Sequence, residues 1–368
     1  MIRAQDLKGV VAMMPAFTTK DGDSPDAMDT VDTETLTTSV DKMIRDGANA
    51  IATMGSFGEF HTLLWSEKKK LIEATIAAVH QRVPVFIGCT TFHTRETKRE
   101  ANFAQEAGAD GVLCGVPFYY PSTVENAVQF YHDLADAFPR LGIGIYHNPP
   151  LHKITLPVVA FEKLVTRPNI VFLKDSHRTP LEFTKLIKIV KDKISVFVMQ
   201  AQMYPYMQYG AAGCWSICAW MGPAPLFRLR DACFAGDWET AKQICIDMSD
   251  AYKSPGRPGD LLWRENSHKL VINDAGYCYA GPLRPPFRHV PPENYRAQQT
   301  DGGKLEKALR KISGEIRFKV QDSGFKVSSG ARVIGLFTRC ACAVSVVLVL
   351  SVCGGVHAQV AQPPRVAG

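Results

Sequence analysis

Ile170-Val171-Phe172-Leu173-Lys174-Asp175 is a run of four apolar residues that ends in a charged pair. A run this short, apolar on both alternating faces, reads as a strand buried on both sides, and such strands belong to parallel sheets covered by helices. The stretch before it, Ile143-Gly144-Ile145-Tyr146-His147-Asn148-Pro149, has the same form and also ends in polar residues. Working outward, similar runs stand at Gly9 to Pro15, Ala50 to Met54, Pro84 to Gly88, Gly111 to Cys114, Gly142 to Tyr146, Ile170 to Lys174, Val196 to Met199 and Gly213 to Ser216, which makes eight.

Helical spacing fills the intervals. Leu36, Val40, Met43 and Ile44 share a face before Gly47; Leu71, Ile72, Ile76 and Val79 do so after a cap placed at Ser66; Ala101, Ala104 and Ala107 precede Gly108, and Leu186, Ile187 and Val190 follow Pro180. Eight strands alternating with helices predict a closed (β/α)8 TIM barrel over residues 1–222. An open doubly wound sheet would offer a Gly-x-Gly-x-x-Gly turn after its first strand, and here Pro15-Ala16-Phe17-Thr18-Thr19 follows Met14 instead. Past Pro223 the strand signals stop. Pro225 to Ala235, Asp237 to Tyr252 with Asp237 as cap, Leu262 to Asp274 and Lys304 to Phe318 read as a helical C-terminal extension over residues 223–323. Within it, the proline-rich Pro282 to Pro292 stretch is expected along the surface, with a reach towards a site or a neighbouring subunit as the other option.

At 368 residues with 46% apolar content the chain has room for one barrel, commonly about 250 residues, and an appendage. Its net charge of +6 is spread out, with no basic stripe interleaved with aromatics, so no nucleic-acid partner is expected. Ten cysteines lie without a Cys-x-x-Cys pair or zinc-like His/Cys spacing, so neither a metal nor a disulfide framework is expected. The first eight residues carry no apolar run, which makes the cytoplasm the expected location.

The segment 324–368 differs in composition. Arg332 and Arg339 precede the apolar run Cys340 to Cys353, and Val356-His357-Ala358-Gln359 follows it, the pattern of an export signal at the wrong end of a chain. The run is shorter than the roughly 20 residues a spanning helix needs. Read-through into a neighbouring frame, or an altered terminus, is expected rather than a membrane tail anchor. No catalytic role is assigned to it.

A barrel places its chemistry where the strands end, which is where Lys174 and Tyr146 stand. Either alone reads as an ordinary strand end; together they point to imine chemistry on a keto acid. A lysine of ordinary pKa, about 10.4, is protonated at neutral pH and needs desolvation or positive neighbours to become a nucleophile. Once a 2-keto acid is held as an iminium, cleavage of its C3–C4 bond leaves an enamine instead of a carbanion. Tyr146 is the candidate proton relay. Gly55-Ser56-Phe57-Gly58-Glu59, after the second strand, offers turn amides and a hydroxyl to a carboxylate.

The Gly-x-x-Gly-Glu turn at Gly55 to Glu59, Pro117 to Tyr119, the Tyr-x-Asn-Pro at Tyr146 to Pro149 and Lys174-Asp175 together resemble the dihydrodipicolinate synthase/N-acetylneuraminate lyase superfamily, over roughly Leu7 to Ala308. The resemblance implies a Schiff-base lysine at Lys174, a relaying tyrosine at Tyr146, carboxylate binding by Ser56 with Phe57, no cofactor, and a homotetramer in which Tyr119 works across a subunit contact. The chain departs from the synthases at Phe57, where they have a second hydroxyl, and at Leu151, where they have an arginine. With Phe118, Trp215 and Trp220, these changes favour a flat apolar pocket. The chain most closely resembles the trans-o-hydroxybenzylidenepyruvate hydratase-aldolases, including the Gly-Pro-x-Arg-Pro-Pro stretch at Gly281 to Pro286. That implies an aromatic keto acid as the small-molecule partner. His61, His147, His177 and Asn273 are further candidates for a polar substituent. A sugar-acid lyase or dehydratase and a non-catalytic keto-acid-binding barrel are the rival readings.

Overall fold

A computed structural model of the chain describes residues 1–251, 261–290, 335–336 and 347–348. The chain divides into two units, Met1–Ile312 and Ser313–Gly368. In the first, eight parallel strands close a barrel in sequence order: β1 (Gly9–Met13), β2 (Ala50–Ala52), β3 (Val85–Gly88), β4 (Gly111–Cys114), β5 (Gly142–His147), β6 (Ile170–Asp175), β7 (Ser195–Met199) and β8 (Gly213–Ser216), with β8 back on β1. The helices in chain order are α1 (Thr33–Asp46), α2 (Trp65–Val79), α3 (Thr94–Ala107), α4 (Val124–Ala137), the short α5 (Pro149–His152) and α6 (Phe161–Leu164), α7 (Pro180–Val190), α8 (Met203–Met207), and then α9 (Ala224–Ala235), α10 (Trp238–Ala251) and α11 (Leu261–Ala275). In the second unit the described residues are β9 (Gly335–Leu336) and β10 (Val347–Leu348), paired antiparallel. The expected helix at Lys304 to Phe318 and most of the apolar run at Cys340 to Cys353 lie outside the described residues. Among the described residues no helix is long and apolar enough to cross a membrane.

Local chemistry sets the helix ends. Asp32 accepts from Thr35 N and caps α1, which closes at Gly47 in the left-handed region. Thr123 caps α4, Thr179 caps α7, and Asp237 accepts from Thr240 N at 3.1 Å ahead of α10. The cap expected at Ser66 is displaced: α2 already begins at Trp65, and Glu67 closes its first turn by accepting from Leu64 N at 2.8 Å. An acidic residue three positions into a helix satisfies a free amide as well as a capping hydroxyl does.

Phe172 stands at the centre of the barrel. Its ring meets Phe86 edge-on at 4.5 Å and lies nearly parallel to Trp215 at 5.7 Å and 18°. On the neighbouring strand, a Cβ at Gly144 would sit 2.0 Å from Phe172 Cζ, so glycine there makes room for the ring. The β5–β6 register slips by one residue between Ile143 and Gly144, after which Tyr146 pairs with Lys174 and His147 with Asp175. Because strand side chains alternate, these two rungs present one pair to the barrel interior and the other to the layer behind it.

Candidate active site

At the C-terminal end of the barrel, Met13, Ser56, Phe57, Tyr146, Lys174, Met199, Trp215 and Ile217 line one cavity. Six strands or their following turns contribute to it, as barrel topology allows. Lys174 is 8% exposed, and its Nζ lies 4.2 Å from the Tyr146 ring centroid and 5.8 Å from that of Trp215. The Tyr146 hydroxyl is 3.0 Å from Ser56 Oγ. An amine, a phenol and an alcohol thus stand in sequence, in contact and away from bulk water. The cavity holds about 30 Å³, room for a water or two but not for an aromatic keto acid. Met13 and Met199 at its wall are unbranched side chains that re-pack readily.

Lys174, Tyr146, Ser56, Phe57 and Trp215 therefore share one cavity. Tyr119 stands apart, two-thirds exposed beside Phe92 and Tyr120. Asn273 is engaged elsewhere, donating to Gly281 O at 3.0 Å and accepting from Ala280 N at 2.7 Å. Trp220 is fully buried with its ring edge-on to Phe17 at 5.8 Å, in the core. His61 packs between the Phe60 and Phe287 rings, and burial lowers its pKa.

Sequence reasoning missed His152, the last residue of α5. Its ring meets Tyr146 edge-on at 4.7 Å and 88°, and its Nδ1 is buried without a hydrogen-bond partner. A Cβ at Gly115 would lie 2.4 Å from His152 Cε1, so the imidazole occupies the space that glycine leaves. Burial first, then the positive charge of Lys174, lowers its pKa to about 3, and the ring is neutral at physiological pH. The sequence signal was a histidine two residues after the proline-rich Asn148-Pro149-Pro150, with no periodicity to mark it.

Behind the Tyr146–Lys174 rung, Asp175 carries a network. Its Oδ1 lies 3.3 Å from His147 Nδ1 and 3.2 Å from His177 Nδ1, and its Oδ2 ion-pairs with Arg178 Nε at 2.6 Å. His147 Nε2 accepts from Leu156 N at 3.0 Å, while Arg178 donates to Leu156 O at 2.7 Å. These bonds tie the segment after β5 to the one after β6. The ligand-type atoms of His147, Asp175 and His177 lie within 4.8 Å of one another. However, the Leu156 amide claims the Nε2 lone pair of His147, which leaves the proton on Nδ1, directed at Asp175. The Arg178 guanidinium supplies the positive charge that a metal would bring. The group reads as a hydrogen-bonded ion network. The carboxyl of Asp175 is held well below its usual range: burial opposes ionisation, but the hydrogen bonds from both histidines and the Arg178 charge outweigh it.

Glu59, at the end of the glycine-rich turn, is buried between two cations, Lys269 Nζ at 2.7 Å and Arg284 Nη1 at 2.9 Å. The proline-rich stretch expected along the surface is thus buried in part: Leu283 and Arg284 are sealed, while Pro286 to His289 are exposed. Arg284 draws the segment inward, since its five guanidinium donors find acceptors only in the barrel loops.

The model of the dihydrodipicolinate synthetase family matches residues 14–254 of the chain. A trans-o-hydroxybenzylidenepyruvate hydratase-aldolase of Pseudomonas aeruginosa is 33% identical over 329 residues, which cover 86% of this chain and 97% of the relative. A trans-2'-carboxybenzalpyruvate hydratase-aldolase of Nocardioides sp. (strain KP7) is 28% identical, with 79% of this chain and 90% of the relative covered. Among solved structures, PhdJ bound to a substrate intermediate superimposes with a TM-score of 0.80 at 28% identity, covering 84% of this chain and 98% of that one. The motifs around Gly55, Tyr146 and Lys174, the closed eight-stranded barrel and these matches agree, and the chain belongs to the dihydrodipicolinate synthetase family as one of its lyases.

Proposed function

We propose that the chain is a class I hydratase-aldolase that converts an arylidene pyruvate, of the trans-o-hydroxybenzylidenepyruvate kind, to an aromatic aldehyde and pyruvate. The observation that carries this reading is the buried series Lys174, Tyr146 and Ser56 in a cavity walled by Trp215 and Phe57. The kinship with two hydratase-aldolases of aryl-substituted pyruvates supports it.

In this reading Lys174 Nζ attacks the C2 carbonyl, and the carbinolamine loses water to give an iminium conjugated with the alkene. Water adds at C4, the aryl-bearing carbon, and a proton is delivered to C3. Removal of the C4 hydroxyl proton then lets the C3–C4 electrons pass into the iminium, which releases the aldehyde and leaves an enamine. Protonation at C3 and hydrolysis of the imine return pyruvate and free Lys174. Tyr146 shuttles the protons at the carbinolamine and the substrate hydroxyl, with Ser56 Oγ as its hydrogen-bond partner. The lysine supplies the electron sink, so the proposal includes no cofactor. Ser56 with Phe57, in the turn that Glu59 ends, takes the keto-acid carboxylate. The aromatic ring extends towards the mouth, past side chains that part on binding. A homotetramer with Tyr119 at a subunit contact and a cytoplasmic location complete the proposal.

A panel of 2-hydroxyaryl, 2-carboxyaryl and fused-ring arylidene pyruvates, followed by loss of enone absorbance with the aldehyde identified, tests it. Turnover of at least one well above the uncatalysed rate is expected. Loss of none beyond background, together with turnover of a polyhydroxy keto acid, would move the chain to the sugar-acid lyases.

A further inference from the structure

We infer that Arg284 and Lys269 are positioning residues for the carboxylate-binding turn, acting through Glu59, so that the segment after the barrel sets the affinity for the keto acid. The inference rests on the proposed keto-acid reading of that turn.

Arg284 is 1% exposed and every one of its side-chain nitrogens is engaged. Nε donates to Thr30 Oγ1 at 2.7 Å, Nη2 to Thr30 O at 2.9 Å and Phe17 O at 3.3 Å, and Nη1 to Ala16 O at 3.0 Å and Glu59 Oε2 at 2.9 Å. Its backbone amide donates to Glu59 Oε1 at 3.2 Å. One side chain from the segment following α11 thus stitches together the loop after β1 and the turn after β2. Lys269, from α11, adds a second cation on Glu59 Oε2 and a bond to Thr18 Oγ1.

The turn between Gly55 and Glu59 is where this matters. Ser56 Oγ holds the Tyr146 hydroxyl, three residues from Glu59, and Phe57 meets His268 of α11 edge-on at 6.0 Å. Glycines flank the turn, so its own backbone has little to hold it rigid. A buried carboxylate with two cations and a guanidinium fork fixes its far end. A lysine in place of Arg284 would keep the charge but could not span Thr30, Phe17, Ala16 and Glu59 at once. The turn would then be less well held, and a ligand would lose affinity to the cost of ordering it. Because a carboxylate contact is made in ground and transition states alike, its loss raises KM and leaves kcat nearly unchanged.

The test titrates pyruvate against borohydride trapping on full-length wild type, Arg284→Lys and Glu59→Gln, with thermal melts of each. Wild type is expected to trap pyruvate on Lys174. The variants are expected to need about tenfold more pyruvate for half-maximal trapping, with maximal trapping rates within about threefold. Folded variants with lowered melting temperatures but unchanged half-saturation would overturn the inference, because the cation pair would then serve stability alone. A wild type that traps nothing would remove the keto-acid reading itself, and the affinity claim with it. Should neither variant fold, native-state hydrogen exchange on the wild type decides. Amides of residues 55–59 and those of Ala280, Gly281, Leu283 and Arg284 are expected to open as one unit, and independent opening by tenfold or more would contradict the clamp.

Discussion

Replacing Tyr146 by phenylalanine removes a single oxygen from the centre of the site. The ring is retained, and with it the 4.2 Å contact to Lys174 Nζ and the 4.7 Å edge contact to His152. What disappears is the hydroxyl 3.0 Å from Ser56 Oγ. Leaving that buried serine short of a partner costs about 1–3 kcal/mol of stability, which a domain with about 5–15 kcal/mol in hand tolerates. The fold is therefore expected to survive. The loss in turnover is larger: a positioned proton relay contributes about 10²–10⁴-fold, equal to about 2.7–5.4 kcal/mol at 1.36 kcal/mol per decade. Enone decay at saturating arylidene pyruvate reads kcat, and the rate of pyruvate trapping reads imine formation alone. Both are expected to fall by at least about 10². A folded Tyr146→Phe protein with kcat within threefold of wild type would refute the relay and leave Tyr146 as a packing residue.

Replacing Lys174 by methionine, which suits a buried site, is expected to abolish trapping and turnover while the thermal melt stays cooperative. Asp175→Asn is expected to destabilise the protein by about 3–5 kcal/mol at neutral pH, because it uncouples a buried ion network. Since the folded pKa of Asp175 lies below its ordinary value of 3.8, that stability is present above pH 3.8 and fades as the pH falls further. Denaturant midpoints of the two proteins should converge in acid. For His152, a folded pKa of about 3 means that the unfolded chain binds a proton which the folded one refuses between pH 6.5 and 3. Wild type should lose roughly 2 kcal/mol on this account by pH 5, and His152→Phe, which fills the same space, should show a shallower loss of stability in acid. An equally steep loss in both would mean that His152 is protonated in the folded state.

The barrel was legible because parallel strands buried on both faces leave short apolar runs, and chemistry at their ends is marked by the polar residues that stop them. Lys174 and Tyr146 stood out as candidates that way, the turn at Ser56 did so by its glycines, and the structure brings all three to one cavity. Contacts between distant segments leave no such mark. Glu59 meets Lys269 and Arg284 across 210 and 225 residues, and nothing local distinguishes a buried arginine in a proline-rich stretch from an exposed one. The surface placement expected for that stretch followed from its prolines, which exclude helix but say nothing about burial. Asn273, expected near the substrate, instead spends both ends of its amide on the backbone at Ala280 and Gly281. His152 was invisible because its partner is the space left by a glycine at the end of β4, a shape complementarity that residue types alone do not encode.

The central claim is that Lys174 forms an imine with the keto acid. Incubation of the folded protein with pyruvate, reduction with borohydride and mass analysis of the intact chain and its peptides tests it directly. The account predicts one pyruvate-derived adduct per chain on the peptide that contains Lys174. Reversible pyruvate binding with no adduct, or an adduct on another lysine such as Lys269, would contradict it.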